Sequence, residues 1–245
     1  MKTFIIIALF FISTSSYAAL PSGLEVLERV DKNMTSDTQI IVSRMIIHSR
    51  RGTRTVKSKS WSQRDKRSYT EYLAPARERG TKMLKLEDRL WMYSPTTDRT
   101  IQISGHMLRQ SLMGSDLSYE DMMENPRLSE IYQAEVKGTE IIAERPCWLL
   151  SLLAKRSDVA YHSRLIWVDQ ELSVPLREEL YAKSGKLLKK TEFKDFKQIG
   201  ERWFPMLIRF KDVLKTGGGT EFIMDSIEFD RPIPEHLFSK AALRR

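Results

Sequence analysis

The chain has 245 residues, 41% of them hydrophobic, which is enough for a packed core, and its single cysteine, Cys147, excludes an internal disulfide. The formal charge of +8 fits a soluble protein, or a surface that meets anionic headgroups or an acidic partner. No nucleic-acid-binding motif accompanies that charge, so nucleic acid is not expected as a partner.

Lys2 precedes an apolar run, Phe4–Ile12, and then a small polar stretch in which Ser16 and Ala18 stand three and one residues before a cleavage point. The run is far shorter than the roughly 20 residues a membrane span needs. Residues 1–18 therefore read as a cleaved signal peptide and 19–245 as a single exported domain, expected in the periplasm. Ala19 would be its first residue, so no cysteine is there to accept a lipid. No later segment is apolar enough to span a membrane.

From Gly23 to Met34, Leu24, Leu27, Val30 and Met34 recur at three-to-four spacing between charged residues, which predicts an amphipathic helix. The period then changes to two. Strands are predicted at Thr38–His48, Thr55–Gln63, Ser68–Leu73, Lys82–Leu86, Leu90–Tyr93 and Thr100–Ile103. The second half repeats the habit at Tyr132–Gly138, Cys147–Ala154, Leu165–Asp169, Leu176–Ala182, Leu188–Phe196, Arg202–Val213 and Glu221–Phe229, and a helical turn is expected in the last residues, near "PIPEHLFS". Ten or more strands are too many for a flat open sheet, so the sheet is expected to curl or close. Two strands are apolar on both sides, at Ile40–Ile47 and Trp148–Leu153, and need cover on both. A barrel interior would serve one side and the N-terminal helix the other.

Between the two halves, from His106 to about Asn125, lies one interruption. Its centre, "LMGSDLSYEDMM" (Leu112–Met123), reads as a turn followed by a capped helix. Ser118 and Asp121 have capping-box spacing, and Tyr119, Met122 and Met123 share a side, with Leu112 and Met113 arriving before them. Methionine suits a surface that accommodates variable apolar guests. The alternative is a hard-cation site of Asp116, Glu120 and Glu124, four residues apart, but no histidine joins them and the spacing is not that of an EF-hand. His48, His106, His162 and His236 are scattered, no Gly-x-Ser-x-Gly elbow occurs, and Cys147 sits in the apolar run "CWLLSLLA". Asp158 and His162 can pair locally but have no nucleophile near them in sequence. Neither catalysis nor a cofactor is expected.

Pro75, Arg79-Gly80-Thr81, Trp91, Tyr93, Pro95, Ile103-Ser104 and the block Gly114–Asp121, with "GKLLKKTEFKDFKQIGERWFP" (Gly185–Pro205) later, resemble the outer-membrane lipoprotein-sorting (LolA-like) family. Leu117 stands where the family usually has Phe, and Thr100-Ile101 replaces an Arg-Arg-Ile turn. The resemblance implies a mainly β fold, an incomplete antiparallel β-barrel with covering α-helices. It also implies an apolar cavity for acyl chains and periplasmic work between the inner and outer membranes, with transient membrane contact. Such proteins often stand beside an inner-membrane permease of the RND/MMPL or ABC kind.

On this basis the expected function is a carrier for the acyl chains of lipoproteins or other lipids. Two alternatives are a lipid-sensing accessory subunit of such a permease and, third, an envelope-lipid hydrolase. The residues expected to line the cavity and form its lid are Leu84, Leu86, Trp91, Tyr93, Leu112, Met113, Tyr119, Met122 and Met123. Gly114, Ser115, Asp116, Ser118 and Asp121 would form the lid's hinge and cap. A one-residue change of register exchanges one strand face for the other, so the sequence does not say which face points inward.

Overall fold

The computed structural model describes residues 20–64, 66–124 and 127–244. The expected signal peptide and the lid's far end at Asn125 lie outside them. A helix, α1 (Gly23–Met34), leads into β1 (Thr38–Ser49), β2 (Gly52–Gln63), β3 (Arg67–Ala74), β4 (Lys82–Leu86), β5 (Arg89–Ser94) and β6 (Arg99–Ile103). After the interruption come a single turn of helix, α2 (Leu128–Ile131), then β7 (Tyr132–Ile142), β8 (Arg145–Ala154), β9 (Ser163–Asp169), β10 (Pro175–Tyr181), β11 (Leu187–Ile199), β12 (Arg202–Asp212) and β13 (Gly219–Phe229).

These strands form one antiparallel sheet in the order β6-β5-β4-β3-β2-β1-β13-β12-β11-β10-β9-β8-β7. Each half is a meander, and β1 joins β13 to link them. β6 and β7 are the two edges, so hydrogen bonds do not close the sheet; the chain between those strands carries the interruption from one edge to the other.

Directly paired residues share a face, which lets one row be followed across the sheet. Val136, Leu150, Ile166, Glu178, Thr191, Phe210, Thr220, Ile47 and Arg54 are successive partners from β7 to β2. This is the inner face. α1 lies on it, burying Val26, Leu27 and Val30 against Tyr132, Leu150, Leu152, Ile166 and Val168. Each of those three buried aliphatics contributes up to about 1.5–3 kcal/mol. Leu24 points to solvent instead. The helix approaches the sheet so closely at its start that a Cβ on Gly23 would lie 2.3 Å from the Ala134 carbonyl oxygen. Asp31, near its end, accepts hydrogen bonds from the Leu128 and Ser129 amides (3.0 and 2.9 Å), which fixes α2.

The interruption packs on the same face, over β1 to β6. The expectation that α1 would cover the opposite side of the sheet from the interior is therefore corrected: helix and interruption sit side by side. The outer face has its own cover over β3–β5. The C-terminal turns Glu235–Phe238 and Lys240–Arg244 bring Phe238, Ala242 and Leu243 onto Tyr69, Leu84 and Trp91.

Candidate functional site

The interruption covers part of the inner face, as the segment expected to be a lid would. Among its described residues there is no α-helix: three short 3-10 turns, Gly105–Arg109, Leu112–Gly114 and Asp121–Met123, are joined by extended residues. Met113 and Gly114 both take positive φ (50° and 73°), which no helix accommodates, and the chain doubles back there so that the Leu112 amide donates to the Leu117 carbonyl (2.8 Å). The capping-box exchange does form. The Ser118 amide donates to Asp121 Oδ2 (2.6 Å) and the Asp121 amide to Ser118 Oγ (3.3 Å), but only one turn follows.

Leu112, Leu117 and Tyr119 are the lid's buried face, packed with Met45, Ile47, Val56, Tyr72, Met83, Leu90 and Ile103 of the sheet. Met92, Met107, Met113, Met122 and Met123 surround them half-buried, so seven of the chain's eleven methionines gather in this cluster. That concentration makes the contact soft and able to repack. Two buried phenols here are bonded to sulfur, Tyr72 to Met83 Sδ at 3.3 Å and Tyr119 to Met92 Sδ at 3.6 Å. Burial pushes the pKa of both above the ordinary tyrosine value.

The residues expected to line one cavity divide between the two faces. Leu112, Met113, Tyr119, Met122 and Met123 lie together in the lid cluster. Leu84, Leu86, Trp91 and Tyr93 lie on the outer face under the C-terminal turns, with Leu84 paired to Trp91. Their alternate neighbours Met83, Leu90 and Met92 face the lid instead.

The Gly-Ser-Asp motif anchors one end of the lid. Ser115 and Asp116 are buried. Asp116 accepts from the Asp212 amide (3.0 Å) and Thr220 Oγ1 (2.8 Å), and its own amide donates to Thr220 Oγ1 (2.9 Å). Lys215 Nζ reaches Ser111 Oγ (2.6 Å) and the Ser115 carbonyl (2.7 Å), so the motif is tied to the β12–β13 hairpin. Arg54 on β2 bonds the Met113 carbonyl and Glu78 (3.0 Å to the latter).

The other end rests on buried charge. Asp121 pairs with Lys189 of β11 and accepts from Tyr161 Oη and Ser118 Oγ. Glu124 pairs with Arg164 of β9 at 2.7 Å, and Arg164 also pairs with Glu178 of β10 at 2.8 Å. The Arg164 guanidinium stands over the rings of Tyr132 (4.8 Å) and Tyr161 (5.3 Å). Burial works against ionisation of Asp121, but Lys189, the Ser118 amide and the Tyr161 hydroxyl outweigh it and hold its pKa below the ordinary value. For Glu124, burial prevails over Arg164 and the pKa is raised.

Sequence reasoning missed Arg164, Lys189, Tyr161 and Glu178. One signal was present: Arg164 has the same strand parity as Ile166 and Val168, both buried. Asp116, Glu120 and Glu124 do not share a face, because Asp116 turns to β12–β13 and Glu124 to Arg164. Among the described residues no group of three or more His, Cys, Asp and Glu is arranged to hold a metal ion. Cys147 is fully buried, and burial pushes its thiol up to about 11.

A family model whose description reads "-like: Uncharacterized protein" matches residues 64–245. No curated protein matches. Among solved structures, the chain is similar to a putative outer membrane lipoprotein-sorting protein domain from Vibrio parahaemolyticus, with 23% identity, a TM-score of 0.79, and 91% of this chain and 98% of that one covered. It is similar to a DUF1329 family protein from Desulfovibrio piger, with 26% identity, a TM-score of 0.81, and coverage of 90% and 97%. It is similar also to a LolA superfamily protein from Nitrosomonas europaea, with 24% identity, a TM-score of 0.76, and coverage of 91% and 100%. The half-open, mainly β architecture is common ground with these structures.

Proposed function

The chain belongs to the family whose model matches residues 64–245, described only as an uncharacterized protein, and from its LolA-like fold we propose that it is a non-catalytic periplasmic carrier. It would bind the acyl chains of a lipoprotein or other lipid and move them between the inner and outer membranes. The observation that carries this reading is the lid: an irregular segment whose Leu112, Leu117 and Tyr119 fill an apolar, methionine-rich face of the sheet.

The energetics suit a carrier. A 16-carbon chain gains about 12 kcal/mol on burial, at about 0.8 kcal/mol per methylene. Expelling three lid side chains from the same surface gives back about 5–9 kcal/mol at about 1.5–3 each. Uptake then exchanges one apolar occupant for another, and the bound state stays shallow enough to release its cargo. A rigid, empty pocket would hold the lipid too tightly to pass it on. The lid is suited to moving because its described residues have no regular helix or strand to break.

Native mass spectrometry of the protein taken from the cell envelope tests the reading. A mass excess equal to an acyl lipid or lipid fragment is expected, and the loaded protein passes that lipid to acceptor vesicles. Protein that is always ligand-free, and that takes up no palmitoyl probe, ends the carrier reading. Loaded protein that never delivers its lipid points instead to a sensing subunit.

A further inference from the structure

We infer that the lid's carboxylates occupy the place of a lipid head: the cargo is an acyl lipid with a phosphate-bearing head, held by Arg164 and Lys189 once the lid lifts. This inference rests on the carrier reading and adds to it the chemistry of the head.

The lid segment has the plan of an amphiphile. Its apolar part, Leu112, Leu117 and Tyr119, is followed within five residues by Asp121 and Glu124. The floor beneath has the complementary plan. Arg164, Leu180 and Lys189 are successive partners in one row of the inner face, so the backbones that carry the two cations lie two strands apart, about 9–10 Å. The lid carboxylates meet them one to one, Asp121 on Lys189 and Glu124 on Arg164.

Charge makes the floor dependent on an anion from elsewhere. Of the carboxylates paired with Arg164 and Lys189, only Glu178 belongs to the sheet. Lifting the lid therefore leaves two cations against one carboxylate, and an apolar chain laid in its place would cover Arg164 again, which is 5% exposed under the closed lid. A buried cation without a counter-charge is strongly unfavourable, so an apolar chain alone does not replace what the lid provided.

One donor also exceeds what the lid satisfies. Arg164 Nε is buried with no hydrogen-bond acceptor, although its terminal nitrogens are engaged. Tyr161 Oη and Lys85 Nζ point to the same lid turn, the lysine donating to the Met123 and Glu124 carbonyls (3.2 and 3.5 Å). A phosphate monoester carries about −1.5 to −2 at pH 7, so a single head replaces the charge of both lid carboxylates.

Space adjoins Glu124 on two sides. A cleft of about 260 Å³ runs past Leu108, Met123, Tyr132 and Val159 to Glu124 and Arg164. A second, of about 220 Å³, reaches Asp121 and Glu124 from the side of Ser68 and Lys85.

The test compares two probes with one tail, palmitoyl lysophosphatidate and monopalmitoylglycerol, below their micellar concentrations, on the full-length protein. Lysophosphatidate is expected to bind about ten-fold tighter, the gain typical of a charge-assisted contact. Lys189→Gln removes most of that ratio while leaving monopalmitoylglycerol bound at least as well as before. A lysine that merely latched the lid would move both lipids together, and that result overturns the inference. Asp121→Asn keeps the floor cations and weakens the lid, so it tightens both lipids and preserves the ratio. Melting curves confirm that each variant is folded.

Equal affinity for the two probes in the unaltered protein overturns the head assignment and leaves the carrier reading standing. Binding of neither probe ends the carrier reading and this inference with it. Inorganic phosphate alone is expected to leave the melting temperature unchanged; a shift as large as that given by lysophosphatidate assigns the site to the free ion and overturns the lipid proposal.

Discussion

Truncating a residue that lines a binding cavity weakens the ligand, whereas truncating one that fills the cavity in the ligand's absence strengthens it. Leu112→Ala separates these cases. Leu112 is 2% exposed and packs in the lid cluster, so removing its isobutyl group costs the closed lid about 2 kcal/mol, the low end for a buried leucine because methionines around it can relax into the gap. If the lid opens without the rest of the fold, that loss falls on closure alone. The open fraction then rises about 30-fold, since 1.4 kcal/mol is a factor of ten. Apparent affinity for an acyl ligand is the intrinsic affinity scaled by that fraction, so a palmitoyl fluorescent probe binds up to about 30-fold tighter. The assay is a probe titration on the variant and the unaltered chain, with chemical denaturation run alongside. Tighter probe binding with a small loss of global stability is the expected pair of results. Weaker or unchanged probe binding with a global loss of 2 kcal/mol or more would refute the reasoning, because Leu112 would then be ordinary core.

Trp91→Ala is the matching control: it opens a void under Phe238 and Leu243 on the outer face, lowering stability by about 3–5 kcal/mol in denaturant melts and leaving probe affinity unchanged. Gly23→Ala forces a methyl group onto the Ala134 carbonyl and is expected to lower stability by about 1–3 kcal/mol, read as a shift in denaturation midpoint. Asp116→Asn weakens the charge-assisted bonds to the Asp212 amide and Thr220, costing about 1.5–3 kcal/mol and speeding amide exchange at Asp212. For pH, the folded-state pKa of Asp121 is depressed, so its contribution is present above about pH 4 and is lost as the pH falls through the folded value. That of Glu124 is raised, so its contribution is full below 4.5 and is lost as the pH rises through the folded value. Exchange of the Leu117 and Tyr119 amides, corrected for intrinsic rates, is therefore slowest between these limits, and Glu124→Gln removes only the loss on the alkaline side.

Most of the sheet was legible because each strand is a period-two run closed by a turn residue. Two strands run past their expected ends where the chain is irregular. β7 was expected to end at Gly138 but continues to Ile142 past a register shift between Val136 and Gly138. β11 was expected to end at Phe196 but runs on to Ile199, past Asp195 at positive φ. The lid was half legible. Ser118 and Asp121 do cap each other, but one oxygen of Asp121 is also bonded by Lys189 and the other by Tyr161, and a lone turn meets the nucleation cost of a helix without the length to recover it. The faces of β4 and β5 were not legible. Leu84 and Trp91 resemble cavity residues as well as core, and the segment that covers them, Phe238 to Leu243, lies about 150 residues away in the chain.

The inner charges escaped for a different reason. A rule that places charge outside and apolar residues inside reads Arg164, Glu178 and Lys189 as surface, yet all three are buried and share inward rows with Leu152, Ile166, Leu180 and Leu150. Apolar residues of similar size at these positions would leave such a fold as stable or more so, since desolvating an ion pair costs about as much as its attraction returns. Stability therefore gives no account of them, and the lid alone does not either, because Asp116 and the β12–β13 hairpin already hold it down. Sites where a sequence breaks the rule its own fold obeys are where function is expected. Here the break falls where the lid's apolar residues give way to its carboxylates, the junction at which an acyl chain would meet its head.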